Sequence, residues 1–282
     1  MKCSRATFAA LLLGAFSAAQ AAPVVFAGAG DAPADIAAPV TSFRTALGSI
    51  NPNVAGSFGS GRREINWDGV PVGFSAPNNL PANFFNVNSP RGVVFSTPGT
   101  GFQVSANAAT GAVEFGNLNP SYPALFETFS AQRLFTAIGS NVTDVTFFVP
   151  GSTTPATVSA FGAVFSDVDL PSVTSLEFFG VGSDSLGTFF APSALGNETL
   201  SFVGMLFNAG ERVGRVRITS GNTILGANES AAADVVVMDD FIFSEPIATV
   251  ATIPEPETYA LMLAGLGVVA FFGRRRKHKV GR

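Results

Sequence analysis

Between Asp144 and Phe243 the chain is a succession of short apolar runs broken by turn residues, and this rhythm decides the fold class. Asp144-Val145-Thr146-Phe147-Phe148-Val149 stops at Pro150-Gly151, and Thr157 to Asp167 forms a second run interrupted by Gly162. Ser175–Phe179 and Leu186–Phe190 flank Gly180-Val181-Gly182-Ser183-Asp184-Ser185, the pattern of a hairpin with a Gly-rich loop. Leu200 to Phe207 reads as a further strand. Val213 to Thr219 sets Val216 and Ile218 opposite Arg215 and Arg217, so one face is buried and the other wet. Asp234 to Phe243 is apolar on both faces apart from Asp239 and Asp240. Strands at this spacing, without intervening helical patterns, predict an all-β sandwich rather than alternating strands and helices. The 28 Phe residues suit it, because Phe fills the space between two sheets without needing a hydrogen-bond partner. No fixed-period repeat is present, which argues against a propeller or solenoid.

Ahead of this region, Ile36, Val40, Phe43 and Leu47 recur at helical spacing, with Pro39 placed for a first turn and Gly48 for the end. One short amphipathic helix is predicted, covering an edge or end of the sandwich. From Ser49 to about Pro98 the chain is rich in Gly, Asn and Pro. Arg63–Gly69 is its one strand-like island.

The two ends follow different rules. Lys2 and Arg5, the apolar run Ala6–Ala15 and the Ala19-Gln20-Ala21 site have the three parts of a secretory signal, predicting a mature start at Ala22. At the other end Pro254-Glu255-Pro256-Glu257 precedes an apolar run of 16 residues, Thr258–Gly273, and then Arg274-Arg275-Arg276-Lys277-His278-Lys279. As a helix that run is about 24 Å long, short against a bilayer core of about 30 Å unless flanking cations snorkel. The basic cluster marks the cytoplasmic side, with Arg274, Arg275, Arg276 and Lys277 as stop-transfer charges. In order and position these parts resemble the PEP-CTERM protein-sorting signal of Gram-negative bacteria. That resemblance implies Pro254, Glu255 and Pro256 as the sorting motif. It also implies passage through the inner membrane by the export machinery, signal peptidase and an exosortase, and release to the cell surface or extracellular matrix.

The organisation expected is a signal peptide at 1–21, a helix and connection at 22–60, the sandwich at 61–246, a linker at 247–253 and the sorting signal at 254–279. Gly61–Gly69, Phe161–Asp169 and Val237–Phe243 resemble segments of a jelly-roll family found among PEP-CTERM proteins. The fold class is therefore all-β: a jelly-roll-like β-sandwich with one short N-terminal helix, plus the signal peptide and a C-terminal transmembrane helix.

Composition limits the chemistry. The single Cys, the single His and all three Lys lie in the two ends. Residues 22–253 carry eight Arg against 18 Asp and Glu, a net charge of −10 where the whole chain has −4. An acidic, Lys-free domain is a poor partner for nucleic acid. Nucleophile–His and Ser–Lys arrangements are excluded, as are zinc sites built on His or Cys. Carboxylates remain, and the candidate pairs are Glu64 and Asp68, Asp167 and Asp169, and Asp239 and Asp240. Glu64 and Asp68 share a strand face about 13 Å apart, too far for a retaining glycosidase pair at about 5 Å. Hydrolysis is the least favoured class, and the expectation is that the chain is not an enzyme.

The same acids suit Ca²⁺, which takes six to eight oxygen ligands. Asp167 and Asp169 point to one side of an extended segment. Asp239 and Asp240 sit in an apolar strand where an uncompensated charge is costly, so a cation or one of Arg62, Arg63 and Arg215 answers them, unless they lie on a solvated face. Structural calcium at Asp167, Asp169, Asp239 and Asp240 is thus one expectation. Trp67 beside Asn66 and Asp68 could form a sugar platform, or share the Ile65 face and point inward. The leading reading is an exported, non-catalytic surface or matrix protein. The alternative is a carbohydrate-binding or adhesion module of extracellular polysaccharide with a structural calcium ion.

Overall fold

A computed structural model describes residues 22–249 and 263–266. The expected signal peptide, the Pro254–Pro256 motif, most of the apolar run and the basic cluster lie outside the described residues. The chain falls into two compact units that divide between Ala248 and Thr249, and the first holds all the elements that follow.

In chain order these are β1 (Val24–Gly30), α1 (Pro33–Leu47), β2 (Arg62–Ile65), α2 (Phe84–Val87), β3 (Val93–Ser96), β4 (Gly101–Val104), β5 (Phe135–Ile138) and β6 (Val142–Phe147). There follow β7 (Ala156–Thr157), β8 (Ala160–Ser166), β9 (Ser175–Gly180), β10 (Ser185–Phe190), β11 (Leu200–Leu206), β12 (Val213–Thr219), β13 (Val237–Ser244) and β14 (Ile247–Ala248). A seven-stranded sheet runs β1-β11-β8-β13-β5-β4, with β2 also paired to β13. A five-stranded sheet runs β10-β9-β12-β6-β3, and β14 pairs with β7. All pairings between these strands are antiparallel.

Between the large sheets lies the expected Phe-rich core. Phe135, Phe161, Phe241 and Phe243 from one sheet meet Phe95, Phe147 and Phe178 from the other. Trp67 belongs to this core. It is 1% exposed, stacks on Phe135 with ring centroids 4.0 Å apart, and donates its indole N–H to the Asp239 carbonyl at 2.7 Å. An exposed sugar platform at Trp67 is therefore corrected: the indole belongs to the core. Burying so large a ring with its single donor satisfied is its most stable use.

The region read as a long connection contains more structure than its composition suggested. The first strand, β1, lies at one edge of the seven-stranded sheet with Val24–Gly30 in register against Leu206–Leu200. Residues 22–60 are thus part of the sandwich unit rather than an appendage to it. The loop between α1 and β2 is held by Arg63, whose buried guanidinium meets the equally buried Glu245 at 2.8 Å and donates to the carbonyls of Pro52, Val54, Gly56 and Pro90. With every donor partnered, this charge is tolerated in the interior.

The helix forms as its spacing predicts, but Pro33 rather than Pro39 occupies the first turn. Ile36, Val40, Phe43 and Leu47 are all buried. They pack on Ala160, Val164, Leu200, Phe202 and Ile242, the outward side chains of β8, β11 and β13. The stripe therefore covers a sheet face, not an edge or end. Arg44, on the same helix, reaches Glu64 of β2 at 2.7 Å and Asp240 of β13 at 3.1 Å.

Candidate metal centre

Strand β8 is buried along its whole length and ends at Ser166, where it pairs with Leu200. Asp167 then turns the chain with φ of 70°, a left-handed conformation that Asp tolerates better than most non-glycine residues. Its N–H donates to the Thr199 carbonyl at 2.9 Å, so the turn is fixed to the start of β11. Two residues on, Asp169 Oδ1 accepts the Gly196 N–H at 2.9 Å.

The third acid comes from far along the chain. Glu229 lies on the loop between β12 and β13, and side chains hold that loop in shape. Tyr122 Oη donates to the Ala227 carbonyl at 2.7 Å and accepts the Gly226 N–H at 2.6 Å. Asn119 donates to Asn228 Oδ1 at 2.9 Å. Asn222 Oδ1 accepts the Asp234 N–H at 2.8 Å, closing the loop at its far end. Carboxylate oxygens of Asp167, Asp169 and Glu229 come within 4.8 Å of one another. Asp234 stands behind them, accepting the N–H groups of Asp169 at 3.3 Å and Leu170 at 3.2 Å.

The electrostatics of this cluster are unusual for the molecule. Asp167 is 0% exposed, and among the described residues nothing donates a hydrogen bond to either of its carboxylate oxygens or to Glu229 Oε2. Burial, reinforced by Glu229, Asp169 and Asp234, pushes the Asp167 carboxyl up to about 9. Burial likewise raises Glu229 to about 7, with Asp169 and Asp234 adding to the shift. Asp234 is raised by burial and held back by its two backbone donors. The eight arginines of residues 22–253 find their partners elsewhere. Arg44 and Arg62 pair with Glu64, Arg63 with Glu245, and Arg215 and Arg217 with Asp144. Arg91 donates to the Glu64 carbonyl, Arg133 to the Ser105 carbonyl and Arg212 to Thr157. More acid gathers nearby: Glu114 is raised to about 7 by burial and by the charges of Glu127 and Glu198. Glu127 donates its N–H to Ser166 Oγ, and Glu198 directly precedes Thr199.

The other acids singled out in the sequence are placed differently. Asp239 and Asp240 stand at a register shift of β13 against β8, apart from the Asp167 cluster. Asp239 Oδ2 accepts the N–H groups of Phe129 at 2.7 Å and Ser130 at 3.2 Å. Asp240 accepts the Ser130 hydroxyl at 2.8 Å and Arg44 at 3.1 Å. Of the four aspartates named as calcium candidates, Asp239 and Asp240 do not join Asp167 and Asp169 in the acidic cluster, and the arginine beside them is Arg44 rather than Arg62, Arg63 or Arg215. Arg44 answers the pair, from a helix that sequence spacing could not bring to β13. Glu64 is bound by Arg44 and Arg62, and Asp68 accepts the Gln132 and Arg133 N–H groups. Glu229 was not singled out by the sequence. More than fifty residues separate it from Asp169, and no local pattern marks it as a ligand.

A cavity of about 310 Å³ opens elsewhere, lined by Asn66, Val70, Phe74, Phe84, Phe85 and Arg91 among others, with no acidic side chain in its wall. Arg91 lies over the Phe85 ring at 5.0 Å.

The sandwich and its acidic cluster define a two-sheet all-β protein with a candidate cation site. The particular assignment comes from the tail: residues 252–277 match the model of the PEP-CTERM protein-sorting motif. This span contains Pro254, Glu255, Pro256 and the Arg274–Lys277 cluster, so the chain carries a sorting signal of exported proteins at the place its sequence indicated. Within it, residues 263–266 are helical, and no helix among the described residues is long and apolar enough to cross a membrane. Comparison with curated proteins gave no match. Comparison with solved structures gave none either.

Proposed function

We propose that this chain is an exported, non-catalytic β-sandwich protein that an exosortase releases to the cell surface or extracellular matrix. The observation that carries the reading is the sorting motif at residues 252–277, directly after a compact all-β unit that ends at Ala248. Two further points support it. Residues 22–253 lack His, Cys and Lys, the groups that most often attack or transfer protons near neutral pH. Two of the candidate acids are also committed: Glu64 is bound by two arginines and Asp68 by two backbone donors. The alternative, a carbohydrate-binding or adhesion module, now rests on the cavity beside Asn66 and Arg91, to whose wall the buried Trp67 contributes. Its volume is at the lower end of the range for small-ligand sites, about 300–1,000 Å³.

Intact-mass measurement on surface-located protein tests the sorting reading. The expected species lacks Met1–Ala21 and everything after about Pro256. Mature surface material that retains Arg282 would overturn it.

A further inference from the structure

We propose that Asp167, Asp169 and Glu229 form a Ca²⁺ site that clips the β12–β13 loop to the end of β8. The inference is independent of how the chain is sorted. It does not rest on the crowding of acids alone. Asp167 is fully buried, it is directed at Asp169 and Glu229, and both of its oxygens lack any donor. A buried carboxylate without a donor is costly, and evolved interiors satisfy such groups with a hydrogen bond, an opposite charge or a metal. Here the arginines are engaged elsewhere. The N–H groups of Asp169 and Leu170 go to Asp234, and that of Gly196 goes to Asp169 Oδ1.

The donor set narrows the ion. All available ligands are oxygens, which suit Ca²⁺, Mg²⁺ or Mn²⁺ and disfavour the thiolate- and imidazole-seeking metals. Mg²⁺ demands near-ideal octahedral geometry and keeps most of its water. Ca²⁺ accepts bidentate carboxylates and irregular coordination. Asp167 offers two unpartnered oxygens in a dry setting, and Glu229 adds one from a separate loop. That arrangement fits the larger, less directional ion. The geometry also assigns roles to residues that touch no ion: Tyr122 and Asn119 fix residues 226–228 and are positioning groups for Glu229.

A bridge between two loops should stabilise the fold in proportion to its occupancy. The full-length protein, purified in detergent and stripped with chelator, is titrated with CaCl₂ by calorimetry and melted with and without the ion. One site is expected, with a Kd in the range of extracellular modules, about 10⁻⁴ to 10⁻³ M. At a hundredfold excess over Kd the melting temperature should rise by about 5–10 °C, with Mg²⁺ much weaker. Asp167→Asn and Glu229→Gln should each weaken binding at least tenfold, while the exposed Asp31→Asn leaves it unchanged. Glu229 is only partly buried, so E229Q keeps the test valid should D167N fail to fold. Tyr122→Phe, which loses the hydroxyl clamp without touching the ion, should weaken binding less than either. The proposal is overturned if calcium produces no heat and no shift in melting, or if binding survives both carboxylate changes. It is equally overturned if D167N melts higher than wild type in chelator and wild type ignores calcium, because the acids would then simply share a proton.

Discussion

At the scale of single residues, the interior of this sandwich contains charge that only specific partners make tolerable. Asp239 is 0% exposed and Asp240 2% exposed, side by side on β13. Burial pushes Asp239 well above the usual carboxylate value of 3.8, and the adjacent Asp240 adds to the rise. The N–H groups of Phe129 and Ser130 offset part of it. Asp240 is also raised by burial, with Ser130 and Arg44 acting the other way. The sign of the linkage follows. A carboxyl whose folded pKa lies above its unfolded one holds its proton longer in the native state. Its contribution to stability is therefore fully favourable below the unfolded value and is lost as pH rises toward the folded one. Asp239→Asn keeps an acceptor for both backbone donors and removes the titration. Unfolding free energy measured in chelator from pH 4 to 9 should fall less steeply in this variant than in wild type. Parallel profiles would show that Asp239 does not titrate differently on folding.

At the scale of elements, α1 rests on a floor of glycines. Gly162 of β8 and Gly204 of β11 are cross-strand neighbours on the outward face, and Gly28 of β1 lies on the same face. A Cβ at Gly162 would stand 2.9 Å from Phe43 Cε1 and 3.0 Å from Gly204 Cα; one at Gly28 would stand 2.8 Å from Pro39 Cγ. The bare strand surface lets the helix approach closely enough to bury Phe43 against Phe26 and Phe202, at centroid distances of 5.3 and 5.7 Å. Gly162→Ala should destabilise by about 1–3 kcal/mol through overpacking. Phe43→Leu should relieve part of that loss, so the double variant costs less than the sum of the two. Strict additivity in urea melts would show that the helix does not bear on Gly162. The sequence showed Gly162 as an interruption in a strand, which signals a close approach. It did not show what approaches. The strand β1 carries little sequence signal, because its Gly- and Ala-rich run has the weak side-chain pattern of an edge that lies beneath a helix.

At the scale of the whole molecule, a net charge of −10 over residues 22–253 favours solubility and resists non-specific association. On the reading proposed above, the protein works by presence or binding rather than by turnover. The purified protein, incubated with a panel of polysaccharides, esters and peptides, should release no product above background. Glu64→Ala, Asp68→Ala, Asp167→Ala and Asp169→Ala variants run beside it provide the decisive control. Hydrolysis that disappears in one of them would make the chain an enzyme and end the non-catalytic reading.

The sequence by itself determined what is local or compositional: the strand class, the Ser175–Phe190 hairpin, the helical stripe Ile36–Leu47, the shortage of catalytic groups and the sorting motif in the tail. Each is written in neighbouring residues or in totals, so chain order suffices to read it. Tertiary structure alone decided which charges meet. Pairing β13 with β8 and β2, and docking α1 on that sheet, brings Glu229 to Asp167, Arg44 to Asp240 and Glu245 to Arg63, contacts that span from under seventy to nearly two hundred residues of chain. It also turned Trp67 inward, because the space between two Phe-lined sheets is where so large a ring removes the most apolar surface from water.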